Sequence, residues 1–520
     1  MSMINVSQLT FAYEGSYDNI FEEVSFHIDT DWKLGFCGRN GRGKTTFLNL
    51  LMGKFEYNGL ISASVDFEYF PFVVEDESAE VLSVLTGIVP DAPLWQLEKE
   101  LSKLSVDLEV LERPYATLSG GERTKVLLAA LFLRENSFLL INEPTTHLDS
   151  AGRETVARYL KSKGGFILVS HDRDFLDECI DHVLSINKAN IEVQVGNFSS
   201  WLHNKQLRDN FEIAENERLK KDISRLQASA KRTATWSDKA EKRKIGFDPV
   251  KVEKSTGSRA YQGEKSRKMM ARSKAIIERR ERSVQEKSAL MKNIDTADKL
   301  KIHPLEYHAS RLIELSDICI TYNGREITKD ISFTLHQGER LAITGGNGTG
   351  KSSIIKAVTC ATDNADFMQT KPSVHLEASN SVTASEKIPY TGSIYIASRL
   401  KISYVPQDAS FLTGGLTNYA KTRQIDESLF KAILRKLDFS RVQFEKDMRG
   451  YSSGQKKKVL LAASLCEKAH VYIWDEPLNY IDVLSRIQIE ELLQEYKPTM
   501  LFIEHDRAFC RNVATKTIAL

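Results

Sequence analysis

Two stretches of this chain carry the residue types that can hold a triphosphate. Leu34-Gly35-Phe36-Cys37-Gly38-Arg39-Asn40-Gly41-Arg42-Gly43-Lys44-Thr45-Thr46 recurs as Leu341-Ala342-Ile343-Thr344-Gly345-Gly346-Asn347-Gly348-Thr349-Gly350-Lys351-Ser352-Ser353. Both match G-x-x-x-x-G-K-[ST], after a short apolar run and before an apolar-periodic stretch. That is the strand–loop–helix context in which glycines let backbone amides close around phosphate oxygens. Lys44 and Lys351 are placed to reach the terminal phosphates, and Thr45 and Ser352 to supply a magnesium ligand. One match can arise by chance; two in context point to nucleotide binding. Gly38, Asn40, Gly41, Gly43 and Thr46 in the first loop, and Gly345, Asn347, Gly348, Gly350 and Ser353 in the second, are therefore candidate binding residues.

More landmarks repeat in the same order. Ser119-Gly120-Gly121-Glu122 begins 75 residues after Lys44, and Ser452-Ser453-Gly454-Gln455 begins 101 after Lys351. Glu143 and Glu476 each lie 24 residues beyond those first serines, in the pairs Asn142-Glu143 and Asp475-Glu476. The apolar runs before them, Phe138–Ile141 and Val471–Trp474, read as buried parallel strands. Ser170-His171-Asp172 and Glu504-His505-Asp506 follow later apolar strands. A lone histidine at a strand end is usually structural. At the same place in two copies it reads as a sensor of the terminal phosphate.

The elements that must position these residues fill both ends of the chain, and the middle differs. Leu219, Ile223, Leu226 and Ala230 recur at helical spacing, as do Met270, Ile277, Val284 and Met291 at intervals of seven. These are expected to form two helices with apolar seams, separated near 245–263 by the helix breakers Gly246, Pro249, Gly257 and Gly263. Lys231 to Arg280 holds 16 Lys/Arg against 6 Asp/Glu, a local net of +10 in a chain of net +1, so the other 470 residues carry −9. A spacer or a solvated charged face would explain a charge run alone. Here Trp236, Phe247 and Tyr261 are interleaved with Lys242, Arg243, Lys244, Lys251, Lys254 and Arg259. Bases stack on aromatics while cations meet phosphates, so RNA is the natural partner of Lys244, Phe247, Lys251, Lys254, Arg259 and Tyr261.

Composition excludes other classes. With 520 residues, 42% hydrophobic and 27% charged, the chain is long enough for several folded domains and is not wholesale disordered. No apolar run approaches the roughly 18 residues of a transmembrane helix. Met1 to Gly15 lacks the basic flank and apolar core of a signal peptide. The six cysteines are scattered without a C-x-x-C pair, which reads as free thiols in a reducing compartment. The expectation is a soluble, cytoplasmic protein.

Taken together, the phosphate loops, S-G-G-E/S-S-G-Q, the acidic pairs, His147-Leu148-Asp149 or Tyr480-Ile481-Asp482, and the later histidines resemble the ATP-binding cassette (ABC) ATPase, over about 415 of 520 residues. Tyr13 and Tyr322 match the aromatic on which adenine stacks. Two cassettes with a basic helical linker resemble the ABC-F subfamily, and within it the antibiotic-resistance ribosome-protection proteins of the Lsa/Vga/Sal type. The resemblance implies an α/β fold of two ABC-type P-loop ATPase domains, at 1–200 and 306–520, joined at 201–305 by a long α-helical hairpin. Lys44 to Phe72 spans 28 residues but Lys351 to Gln407 spans 56, which places an insertion near 363–391 of the second domain.

The family's cassettes meet head to tail. That implies one ATP site of Lys44, Asn142, Glu143 and His171 with Ser452, Ser453, Gly454 and Gln455. The other joins Lys351, Gln407, Asp475, Glu476 and His505 to Ser119, Gly120, Gly121 and Glu122. ATP and Mg2+ are the implied cofactors, with Thr45, Ser352, Gln407 and Asp475 as metal ligands, Glu143 and Glu476 as bases and His171 and His505 as switches. Departures fall unevenly: Asn142 for an aspartate, Phe72 for a glutamine and Ser453 for a glycine belong to the first site, and the second departs only at Glu504, before His505. A slow first site is expected, not a dead one. The implied function is ATP-driven protection of the ribosome, through contacts with large-subunit ribosomal RNA and tRNA at the tRNA exit site, against lincosamides, pleuromutilins and group A streptogramins. Neither a membrane partner nor a stable homodimer is required. A housekeeping ABC-F translation factor, a transporter ATPase subunit and a non-hydrolysing RNA-binding module are the alternatives.

Overall fold

In the first repeat the strands are β1 (Met3–Phe11), β2 (Phe21–Asp29), β3 (Lys33–Cys37), β4 (Asn58–Ser62), β5 (Asp66–Phe70), β6 (Ser137–Asn142), β7 (Phe166–Val169), β8 (His182–Asn187) and β9 (Asn190–Val195). β1 pairs antiparallel with β2 and β4, and buried residues alternate with exposed ones along much of it because one face of this small sheet meets water. The larger sheet runs β5-β6-β7-β3-β8-β9, parallel except for the closing β8–β9 pair.

The second repeat follows the same plan with β10 (Arg311–Tyr322), β11 (Arg325–His336), β12 (Arg340–Thr344), β13 (Tyr390–Ile396), β14 (Ile402–Val405), β15 (Val471–Asp475), β16 (Met500–Ile503) and β17 (Lys516–Ala519). A small antiparallel sheet β11-β10-β13 accompanies a parallel sheet β14-β15-β16-β12-β17. β7, β15 and β16 are buried along their whole length. Parallel strands covered on both faces must be continuous apolar runs, which is how they read in the sequence.

This computed structural model describes residues 2–13, 19–187, 190–245, 268, 274–275, 278–279, 282, 301–322, 325–362, 390–437, 439 and 441–520. The expected tip loop, with Phe247, Lys251, Lys254, Arg259 and Tyr261, and the expected insertion up to residue 389 lie outside the described residues. The chain forms two compact units, Leu202–Ala297 and the remainder. A 48-residue helix, Phe198–Ile245, holds Lys244 near its end, with Leu219 and Ile223 half-buried along it. The described positions between 268 and 282 are helical as well. No helix among the described residues is long and apolar enough to cross a membrane.

Local chemistry dictates the helix starts. Each phosphate loop runs into a helix, Lys44–Leu51 or Lys351–Thr362. Gly43 and Gly350 precede them at φ +99° and +88°. A Cβ on either would come within 2.5 Å of Ile20 or Thr328, so only glycine serves. The helices Gly120–Leu131 and Ser453–Cys466 each open with a capping box, Ser119 with Glu122 and Ser452 with Gln455. The S-x-x-E/Q spacing thus satisfies two orphan amides while leaving the glycines at the surface of the helix end.

Candidate active sites

Strand order assembles the chemistry. β6, β7 and β3 are neighbours, so residues just past their C-terminal ends share one edge: Glu143, His171 and the loop 38–44. β15, β16 and β12 do the same for Glu476, His505 and the loop 345–351. Open parallel sheets bind ligands at this carboxyl edge. Glu143 N–H donates to Val169 O at 2.8 Å and Glu476 N–H to Ile503 O at 3.1 Å. Both glutamates have left-handed backbones, φ +52° and +46°. Such strain costs of order 1–3 kcal/mol and collects where side chains must be aimed.

The loop lysines curl into their own loops. Lys44 Nζ donates to Gly38 O at 2.7 Å, and Lys351 Nζ to Gly346 O at 2.6 Å. Burial lowers both ammonium pKa values. Asp482 and Glu143 oppose this around Lys44, and Glu476 and Asp149 around Lys351. In each pair one carboxylate comes from the other repeat.

The two glutamates are held differently. Glu476 Oε2 accepts from Gln407 Nε2 at 2.8 Å and Asn479 Nδ2 at 2.7 Å, while Oε1 lies 3.4 Å from His505 Nε2. Burial favours the neutral acid, but hydrogen bonds from His505, Gln407 and Asn479 outweigh it and hold the pKa down to about 2. Glu143 Oε1 lies 3.3 Å from His171 Nε2 and finds no hydrogen bond. Burial pushes its pKa up to about 7, against the pull of Arg486 and Lys44. Burial, with Lys44 and Arg486 nearby, holds His171 well below its ordinary value, so this imidazole is neutral.

The metal-binding potential is also unequal. Ser352 Oγ donates to Asp475 Oδ1 at 3.1 Å, while Asp475 Oδ2 is buried without a hydrogen-bond partner. Burial and the neighbouring Glu476 raise this carboxyl to about 6. A hydroxyl beside an orphaned carboxylate oxygen, with the Gln407 amide nearby, is an all-oxygen donor set that fits Mg2+. In the first repeat Asn142 turns away, donating to Tyr69 Oη at 2.8 Å, and Thr45 stands exposed. Tyr13 Oη is 2.8 Å from Thr46 Oγ1, and its ring meets Phe11 and Phe55 edge-on. Tyr322 ends β10; its side chain lies outside the described residues.

The repeats meet reciprocally. Asn40 Nδ2 donates to Tyr480 O at 2.9 Å, and Asn347 Nδ2 to His147 O at 3.3 Å. A Cβ on Gly120 would fall 2.8 Å from His147 Cβ, and one on Gly454 2.7 Å from Tyr480 O. Each phosphate loop therefore grips the segment that abuts the other repeat's capping-box glycines. A cleft of about 980 Å³ places Ser119, Gly120 and Gly121 opposite Asn347, Gly348, Gly350, Lys351, Ser352 and Ser353, with Gln407, Glu476 and His505 on its wall. On the first side the corresponding link runs from Asn40 through Tyr480 to Gly454.

Sequence reading passed over several residues of this interface. Arg153 donates to Leu148 O at 3.1 Å, Asp172 Oδ2 at 2.8 Å and, across the interface, His505 O at 3.2 Å. Arg486 makes the equivalent bonds to Ile481 O and Asp506 Oδ2, but its third goes to Leu478 O in its own repeat. Asp149, Asp172, Asp482 and Asp506 cap the helices that follow them. The signal was present: each arginine lies ten residues beyond its glutamate in both repeats.

The ABC transporter family profile matches residues 21–146 and 328–479, just over half of the chain. The ribosome protection protein VmlR of Bacillus subtilis is 26% identical over 523 aligned residues, covering 99% of this chain and 86% of that protein. The ATP-binding protein Uup of Buchnera aphidicola is 24% identical, covering 99% and 80%. Among solved structures, the archaeal ribosome recycling factor aABCE1, in complex with ribosomal stalk protein aP1, superposes with a TM-score of 0.61 at 18% identity over 98% of this chain and 87% of that one, which speaks for the fold. With paired phosphate loops facing each other's glycine-rich helix starts, this chain belongs to the ABC transporter family, and its two ABC-F-like cassettes bind and hydrolyse ATP.

Proposed function

We propose that this is a cytoplasmic, ribosome-binding ABC-F ATPase that protects the ribosome from antibiotics acting near the peptidyl-transferase centre. The observation that carries the reading is end-to-end similarity to a ribosome protection protein, together with a segment of net charge +10 set between two ATP-hydrolysing cassettes. ATP closes the cassettes (1–200 and 306–520), the linker (201–305) enters through the tRNA exit site, and hydrolysis releases the protein. The tip meets ribosomal RNA and tRNA, and the drugs countered are lincosamides, pleuromutilins and group A streptogramins. A second reading is a housekeeping ABC-F factor; similarity over as much of the chain to the ATP-binding protein Uup, whose name carries no protection role, leaves it open to the test below.

The residues divide the work. Lys351 and the amides of its loop hold the phosphates, and Ser119, Gly120 and Gly121 close on them from the other repeat. Glu476 orients the attacking water and takes its proton, and His505 reads the terminal phosphate. Mg2+ would be held by Ser352, Gln407 and Asp475, and when bound it neutralises charge on the phosphate oxygens. Thr45 is the corresponding hydroxyl in the first site, where Asn142, Phe72 and Ser453 slow turnover. By basicity alone Glu143 is the stronger base. Phosphoryl transfer depends chiefly on positioning, however, and Glu476 is both ionised and held by three donors.

The test is expression in a susceptible host, with growth measured against several classes of ribosome-targeting drug. Protection confined to the three named classes, and lost when the loop between Lys244 and Gly263 is shortened while ATP binding persists, is the expected result. Full protection without the loop makes the linker a spacer. No protection by the intact chain favours the housekeeping reading.

A further inference from the structure

One buried charge has no role in the scheme above. Lys457 lies on the helix Ser453–Cys466, three residues beyond its capping-box glycine, and is only 3% exposed. Its side chain does not reach water freely. Nζ donates to Pro406 O at 2.9 Å and Glu476 O at 3.2 Å, on the wall of the cleft that holds Lys351, Ser352 and Gln407. Those two carbonyls belong to the two segments that must be in register for hydrolysis. Pro406 immediately precedes Gln407, whose amide donates to the Glu476 carboxylate, and Glu476 itself sits on the strained backbone at φ +46°.

The first repeat is built otherwise. Its equivalent residue is Thr124, whose hydroxyl turns back to Gly120 O at 3.0 Å inside its own helix. The Glu143 carbonyl accepts instead from Thr146 Oγ1 at 3.1 Å, a residue of the same turn. Among the described residues, no side chain of the helix Gly120–Leu131 ties the Phe72 loop to Glu143.

We propose that Lys457 is a positioning residue specific to the second ATP site, clamping the Gln407 loop to the Glu476 turn so that the glutamate meets the attacking water in one geometry. A buried ammonium facing two carbonyls suits this task, since it offers several donors on one atom and can hold two segments together just beyond Val405 and Trp474, where the β14–β15 pairing ends. The surrounding carboxylates, Asp475, Glu504, Glu476 and Asp408, oppose the tendency of burial to neutralise it. The inference rests on Glu476 being the catalytic glutamate of this site, and the experiment separates the two ideas.

Steady-state hydrolysis of ATP by the full chain with ribosomes is measured for Lys457→Met in three backgrounds: wild type, Glu143→Gln and Glu476→Gln. In the wild-type and Glu143→Gln backgrounds kcat should fall about 10- to 100-fold, the cost of a misplaced reacting group, with KM for ATP changed less than about twofold. In the Glu476→Gln background, where the second site is already silent, Lys457→Met should cause no further loss. Lys457→Arg, which keeps charge and donors, should recover most of the turnover. Should Lys457→Met fold poorly, Lys457→Gln replaces it, with the same pattern expected. Equal losses in both glutamate backgrounds would mean that Lys457 serves only helix packing, and an unchanged kcat would remove the clamp altogether. If Glu476→Gln alone left turnover intact, the assignment of Glu476 would fail instead, whatever Lys457 did.

Discussion

At the scale of single residues, the two candidate catalytic glutamates occupy the same strained backbone position, each beside a histidine, and differ in their other partners. Glu476 has Gln407, Asn479 and His505 as donors, whereas Glu143 has a neutral histidine at its side and no hydrogen bond on Oε1. Beside them Asp475 Oδ2 is buried without a hydrogen-bond partner, while Asn142 donates its amide to Tyr69. Glu476→Gln alone should therefore lower ribosome-stimulated ATPase by about 10²–10⁴-fold, the usual worth of such a group, and Glu143→Gln much less. Equal losses from the two, measured by phosphate release, would show that these differences do not govern turnover. The double variant keeps both phosphate loops and should accumulate on ribosomes in ATP, which sedimentation reads directly.

At the scale of elements, Ser119-Gly120-Gly121-Glu122 and Ser452-Ser453-Gly454-Gln455 are first of all helix starts. Ser119→Ala opens the capping box with Glu122 and should cost about 0.5–2 kcal/mol of first-cassette stability. Because that helix end faces the Lys351 loop, the same change should impair hydrolysis at the second site, so adding it to Glu476→Gln should have little further effect on rate. Chemical denaturation and ATPase assays check the two halves. A second element-level contact joins the helices Leu94–Lys103 and Ser150–Lys161. Glu100 accepts from Lys103 at 2.8 Å and Tyr159 at 2.7 Å, and also pairs with Lys163. Burial opposes its ionisation, but these partners hold its pKa down to about 2, below the 4.5 of a free glutamate. A depressed acid stabilises the fold above its unfolded pKa and loses that contribution as pH falls through the folded one. Glu100→Gln should accordingly lower the melting temperature at pH 7, and the difference from wild type should shrink as pH drops from about 4.5 towards 2. A pH-independent difference would contradict the ion pairs.

Across the whole molecule, the cassette interface is written in arginines. Arg173 reaches Glu490 at 2.6 Å, Arg511 reaches Asp174 at 3.0 Å, Arg507 reaches Ser150 and Glu154, and Arg153 spans to His505 O. Their environments rank them. Arg173 and Glu490 are 12% and 7% exposed, Arg511 and Asp174 67% and 40%. Breaking a buried pair strands a charge and costs about 3–5 kcal/mol, whereas an exposed pair is worth about 0–1 kcal/mol and is screened by salt. Arg173→Ala should thus weaken ATP-dependent closure strongly at all ionic strengths, and Arg511→Ala weakly and only at low salt. Titrating ribosome binding against ATP at two salt concentrations distinguishes them, and a reversed order would mean that the burial is not kept in the working assembly.

Much of this was legible before any fold was known. The phosphate loops, the helix-start serines, the glutamates and the histidines recur at matched spacing, because local rules bind them: a glycine where φ must be positive, a capping residue three places before its partner, an apolar run where a parallel strand is covered on both faces. The substitutions Asn142, Phe72 and Ser453 were equally plain as departures between copies. Tertiary structure alone decided where Asn142 turns. Asn142 turns to Tyr69 because β5 runs beside β6, a neighbour set by sheet order and not by sequence distance. Arg153 meets His505, Asn40 meets Tyr480, and Lys457 meets Pro406 over separations of 352, 440 and 51 residues. No periodicity or local propensity encodes such contacts; the first two exist only when the two repeats have met face to face, and the third only when the helix Ser453–Cys466 has packed beside β14.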